Sequence, residues 1–64
     1  MTMTEDQVML GAAMMLLKRH GERAPSKVAE RIGELVSEGD DVGVAVWKSI
    51  AHHMDAILRA GPVQ

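Results

Sequence analysis

Ten consecutive residues, Val8 to Leu17, read VMLGAAMMLL and contain no polar side chain. This run constrains the fold more than any other feature. It is about half the roughly 20 apolar residues that a membrane-spanning helix needs, and it ends in Lys18-Arg19-His20. As a helix it is apolar over most of its circumference, with only a narrow Gln7–Gly11–Lys18 strip remaining. A helix of that kind is stable when it is covered on every side. The whole chain has 64 residues to cover it with, and domains this small bury a smaller share of their surface than larger ones.

The flanks of the run carry the start and stop signals of one helix. Thr4-Glu5-Asp6-Gln7 has the spacing of a capping box, in which Thr4 accepts from the Gln7 backbone and the Gln7 side chain reaches back. Met3 and Val8 then stand where a hydrophobic staple forms. Glu5 and Asp6 complement the positive end of the helix dipole, and Lys18, Arg19 and His20 the negative end. Gly21 is placed for a left-handed cap. The predicted helix covers 5–20.

Two further segments read at helical period. Pro25 suits a first helical turn, and Val28, Ile32, Leu35 and Val36 form an apolar stripe with Ala29 beside it. Lys27, Glu30, Arg31, Glu34 and Glu38 lie opposite, and Gly39 ends a helix over 25–38. Gly33, in its interior, is read as a point of close approach for a packing helix. Asp40 or Asp41 caps a third helix over 41–60, whose apolar face carries Val46, Trp47, Ile50, Met54, Ile57 and Leu58. Gly61-Pro62 stops it. Asp55 and Arg59 have the favourable i, i+4 spacing. No segment alternates at period 2 over a strand's length. The expected fold is therefore all-α, a single domain over 1–64 built as a small three-helix bundle, with Trp47, Ile32, Leu35, Ile50 and Leu16 in its core. Trp47, the one aromatic residue, is expected to be mostly buried, with Gly43 clearing space for it one turn earlier.

Several chemistries find little support. The absence of Cys removes disulfides, thiolate metal sites and cysteine nucleophiles. His52 and His53 are adjacent, about 100° apart on a helix, and His52 with Asp55 supplies two of the three or four ligands a metal site needs. His52 is read as solvated and His53 as flanking the core. Ser49 with His52 or His53 lacks the oriented third group and oxyanion donors of a triad. No enzyme activity, cofactor or metal is expected. Lys18, Arg19, Arg23 and Lys27 raise a nucleic-acid reading, with the second and third helices as a helix-turn-helix. Asp40 and Asp41 at the end that enters the groove, and a net charge of −2, argue against it. The N-terminus lacks the basic region of a secretory signal, so the cytoplasm is the expected location.

His20-Gly21, Ala29-Glu30-Arg31-Ile32, Gly39-Asp40, Gly43, Trp47 and Ile50-Ala51 together resemble a family of short proteins from sphingomonad-like alphaproteobacteria that is catalogued as a domain of unknown function. The resemblance runs from the first helix to Leu58. It implies a small helical protein and carries over no catalytic or binding residue.

What the residues do indicate is a surface. The monomer core is expected to use Val8, Ala12, Met15 and Leu16 of the first helix, which leaves Leu10, Met14 and Leu17 as a second apolar face. Methionines supply an adaptable, polarizable contact surface. The sequence thus predicts a non-enzymatic protein-interaction module that self-associates as a homodimer or higher oligomer through Leu10, Met14 and Leu17. A different protein partner, or nucleic acid through the helix-turn-helix, is the alternative.

Overall fold

The capping box at Thr4 forms as its spacing predicts. In the computed structural model, which describes residues 2–61, the Gln7 backbone N–H donates to Thr4 Oγ1 at 3.2 Å, and Thr4 N–H donates to Gln7 Oε1 at 2.8 Å. Helix α1 then runs over Glu5–His20. Met3 and Val8 both remain more than half exposed, so a staple there buries little. Gly21 has a positive φ of 57°, but its ψ of −128° is not that of the expected left-handed cap. The chain turns instead into a 3-10 segment, Gly21–Arg23, that leads directly into α2, Ala24–Glu38. Pro25 stands in the first turn of α2.

The link from α2 to α3 is two residues long and fully bonded. Gly39 adopts the left-handed conformation (φ 72°, ψ 22°). Its N–H donates to the Val36 carbonyl at 3.1 Å, and Asp40 N–H donates to the Leu35 carbonyl at 3.0 Å. This is a complete Schellman motif, which satisfies carbonyls that a helix end otherwise leaves unpaired. Asp40 serves the next helix as well, because its Oδ1 accepts from Gly43 N–H at 2.9 Å. One residue thus closes α2 and caps α3, Asp41–Ala60. The Asp55–Arg59 pair predicted on α3 is present, at 2.8 Å. Gly61 follows α3 with φ 76°, and the expected stop at Pro62 lies outside the described residues.

The fold is all-α, with no strand among the described residues. It departs from the expected bundle of three separate helices, because α1, the 3-10 turn and α2 form one bent, uninterrupted helical run that folds against α3. The buried residues explain the arrangement. Ala13 of α1, Ala24 and Val28 of α2, and Ile50 and Met54 of α3 form one cluster. Both alanines are fully buried, and their small side chains let the helices meet closely at the bend. Leu35, also buried, seals the α2–α3 turn.

Several details of the expected core shift. Of its five residues, Leu35 and Ile50 are buried, whereas Leu16, Ile32 and Trp47 pack against the cluster while partly exposed. Val36 and Ala29, placed on the apolar stripe of α2, are exposed. The face of α2 that packs is centred on Ala24, Val28 and Leu35, and these two lie to one side of it. Gly43 does not make room for Trp47. A Cβ there would lie 2.7 Å from Asp40 Oδ2 and 3.0 Å from Leu35 Cδ2, so glycine is required by the cap and by Leu35. Gly33 faces open space, with nothing within 4 Å of a Cβ, and is not a point of close approach.

These two glycines give opposite expectations. Gly33→Ala should stabilise the protein by about 1 kcal/mol, the ordinary helix-propensity gain. Gly43→Ala should lose that gain and weaken the cap, for a net destabilisation of about 1 kcal/mol. Urea midpoints of the two variants check the pair. Trp47→Ala should cost about 2 kcal/mol, less than the roughly 3–5 kcal/mol of a wholly enclosed aromatic side chain. The same denaturation series, followed by circular dichroism, measures it.

Candidate interaction surface

α1 meets the rest of the chain along one side only. Ala13 is buried, and Met9, Ala12, Leu16 and Leu17 pack partly buried against the cluster. At about 100° per residue these positions share one face, centred near Ala13. The shortest dimension of the molecule is 18 Å. Helices packed at about 8–10 Å between axes fill that with two layers, and among the described residues none covers the outer side of α1, where Val8, Met14 and Met15 are more than half exposed.

That outer side is apolar. Val8 is 51% exposed, Leu10 39%, Met14 57% and Met15 69%. Val8 and Met15 form one flank, Leu10 and Met14 the other, and Gln7, Gly11 and Lys18 run between them. The expectation is corrected at three residues. Leu17, assigned to the outer face with Leu10 and Met14, turns toward the core. Val8 and Met15, assigned to the core, point outward. The apolar run itself hides this difference, since a helix with hydrophobic residues all round gives no phase. The available clue was Ala13, because a small residue can mark where a neighbouring helix approaches.

Two grooves border the surface. Met3, Gln7, Leu10, Gly11 and Met14 line a shallow one of about 360 Å³. Ala12, Met15, Leu16 and Arg19 of α1, with Trp47 and Ile50 of α3, line a second of about 240 Å³. The exposed part of Trp47 therefore opens beside Met15, next to the outer face. Charge is distributed unevenly along the helix, with Glu5 and Asp6 in the first turn and Lys18, Arg19 and His20 in the last.

The polar groups considered from the sequence are placed as follows. His52 is exposed and His53 partly buried. His53 Nδ1 lies 2.8 Å from the Ser49 carbonyl oxygen, not from its hydroxyl, and Nε2 lies 3.9 Å from Asp6 Oδ1. The ring thus sits between α3 and the first turn of α1. Among the described residues no three His, Cys, Asp or Glu side chains gather as a metal site. Lys18, Arg19, Arg23 and Lys27 are all exposed, and Lys27 pairs with Glu30 at 3.8 Å. At the N-terminus of α3 the exposed Asp40 and Asp41 present negative charge, which phosphate repels. No helix among the described residues is long and apolar enough to cross a membrane.

Comparison with known proteins gives one relationship. No curated protein and no solved structure matches the chain. A family of unknown function (DUF6961) matches residues 5–60, which takes in α1, the bend, α2 and α3. The chain belongs to this family of unknown function.

Proposed function

We propose that this protein is a non-enzymatic helical interaction module that self-associates through the outer face of α1. One observation carries the reading: four large apolar side chains of a single helix stand exposed, Val8 and Met15 on one flank of the Gln7–Gly11–Lys18 strip and Leu10 and Met14 on the other. Isolated exposed apolar residues are ordinary, but contiguous ones mark surfaces that another molecule covers. Each is already partly covered, so burying the remainder contributes about half of the roughly 1.5–3 kcal/mol of a fully exposed side chain. A two-fold axis doubles the set to eight, enough to exceed the several kcal/mol that association costs.

In this reading the interface takes in Leu10 and Met14, as expected from the sequence, together with Val8 and Met15. The other large apolar side chains exposed on the helices are Val36 of α2 and Val42 and Leu58 of α3, the last placed by the sequence on the apolar face of that helix.

Light scattering at tens of micromolar tests the proposal. The wild-type protein should have the mass of more than one chain. Met14→Glu should keep its helical circular dichroism and fall to the mass of one chain, since its position is exposed in the single molecule and a carboxylate there opposes burial. A wild-type mass of one chain would overturn self-association.

A further inference from the structure

We infer that the groove between α1 and α3 binds a small amphipathic anion, a medium-chain carboxylate. Its lining supplies both halves of that chemistry. Ala12, Met15 and Leu16 of α1 border a hollow of about 240 Å³ together with Trp47 and Ile50 of α3, and Arg19 is the one charged residue among the six. Positions 12, 15, 16 and 19 stand three or four apart, so they share one stripe of α1. Only Met15 belongs also to the face proposed for self-association, and the inference does not rest on that proposal.

The size, the walls and the charge of the groove each narrow the occupant. Its volume is below the roughly 300–1,000 Å³ of sites for drug-sized ligands, which favours a short chain. Five apolar side chains favour a hydrocarbon body. Arg19 then selects the head. It enters no ion pair among the described residues, and no acidic residue lines the groove. A guanidinium matches a carboxylate through two parallel N–H donors. Lys18 and His20 flank Arg19 in the last turn of α1, a basic surround that favours an anion over a cation. By contrast, the groove beside Leu10 and Met14 has no charged residue in its lining, and so selects no head group.

Trp47 is the one tryptophan of the chain and lines the groove, so its fluorescence reports occupancy. Octanoate should move the emission to shorter wavelength and saturate, with the helical circular dichroism unchanged. Octylammonium has the same chain and the opposite charge, and should bind at least about fivefold more weakly. Arg19→Gln should weaken octanoate about fivefold, the upper end for a solvent-facing ion pair, and leave the binding of uncharged octanol as it was. Lys18→Gln, next in sequence but outside the groove, should leave octanoate binding close to that of the wild type.

The titration is made on the wild type and on Met14→Glu, which separates groove binding from self-association. Saturable octanoate binding by both supports the site. Binding by Met14→Glu alone also supports it, and shows that a second chain closes the groove in the wild type. No spectral change in either protein overturns the inference and leaves self-association standing. Equal binding of octanoate and octylammonium overturns it too, as does an octanoate affinity that Arg19→Gln leaves unchanged. A loss in Lys18→Gln as large as in Arg19→Gln would show diffuse attraction to the basic turn, and no site.

Discussion

Ile50 and Met54 are the point at which the bent helical run and α3 hold together. They stand one turn apart on α3 and share a buried cluster with Ala13 from one arm of the bend and with Ala24 and Val28 from the other. With both alanines fully buried, the contact is close and leaves little volume to fill, which suits a chain with a single aromatic side chain. The arrangement also fixes how α1 is used. Because α2 and α3 are both joined to it at this cluster, they cover the same side of α1. Its opposite side is left to solvent or to another molecule.

The polar scaffolding serves that packing. Asp40 ends α2 and starts α3 within one residue, and its cap leaves no space for a Cβ at Gly43. Leu35 then closes the turn from beneath. His53 of α3 lies beside the first turn of α1, its Nε2 3.9 Å from Asp6 Oδ1. The 3-10 turn at Gly21–Arg23 does the corresponding work at the other end of α1, bending the run sharply enough for Ala13 and Ala24 to meet in one core.

Much of this was legible in the residues. The Thr4–Gln7 capping box, the helix stop at Gly39, the aspartate cap at position 40 or 41 and the Asp55–Arg59 pair are local devices, and each forms where the sequence places it, the cap at Asp40. What the sequence concealed was tertiary. The bend at Gly21 depends on packing between arms, so a left-handed cap and a 3-10 turn are equally compatible with the local residues. The roles of Gly33 and Gly43 depend on which neighbour approaches and not on helix propensity. Above all, the Val8–Leu17 run carries an excess of apolar surface but no phase, so its residues alone do not show that Leu17 packs inward and Val8 and Met15 face outward. That the excess exists needed only composition and period; which residues form it needed the position of Ala13.

On the proposed reading the outer face of α1 is covered in solution, although no described residue of the single chain covers it. Methyl-labelled methionine reports on this directly, since Met14 and Met15 are exposed and Met54 is 2% exposed. A soluble paramagnetic agent relaxes methyl signals according to their access to solvent. At tens of micromolar protein, Met14 and Met15 should be protected to nearly the degree of Met54, while Met3, outside the helix and 64% exposed, relaxes faster. Relaxation of Met14 and Met15 as rapid as that of Met3 would contradict the account.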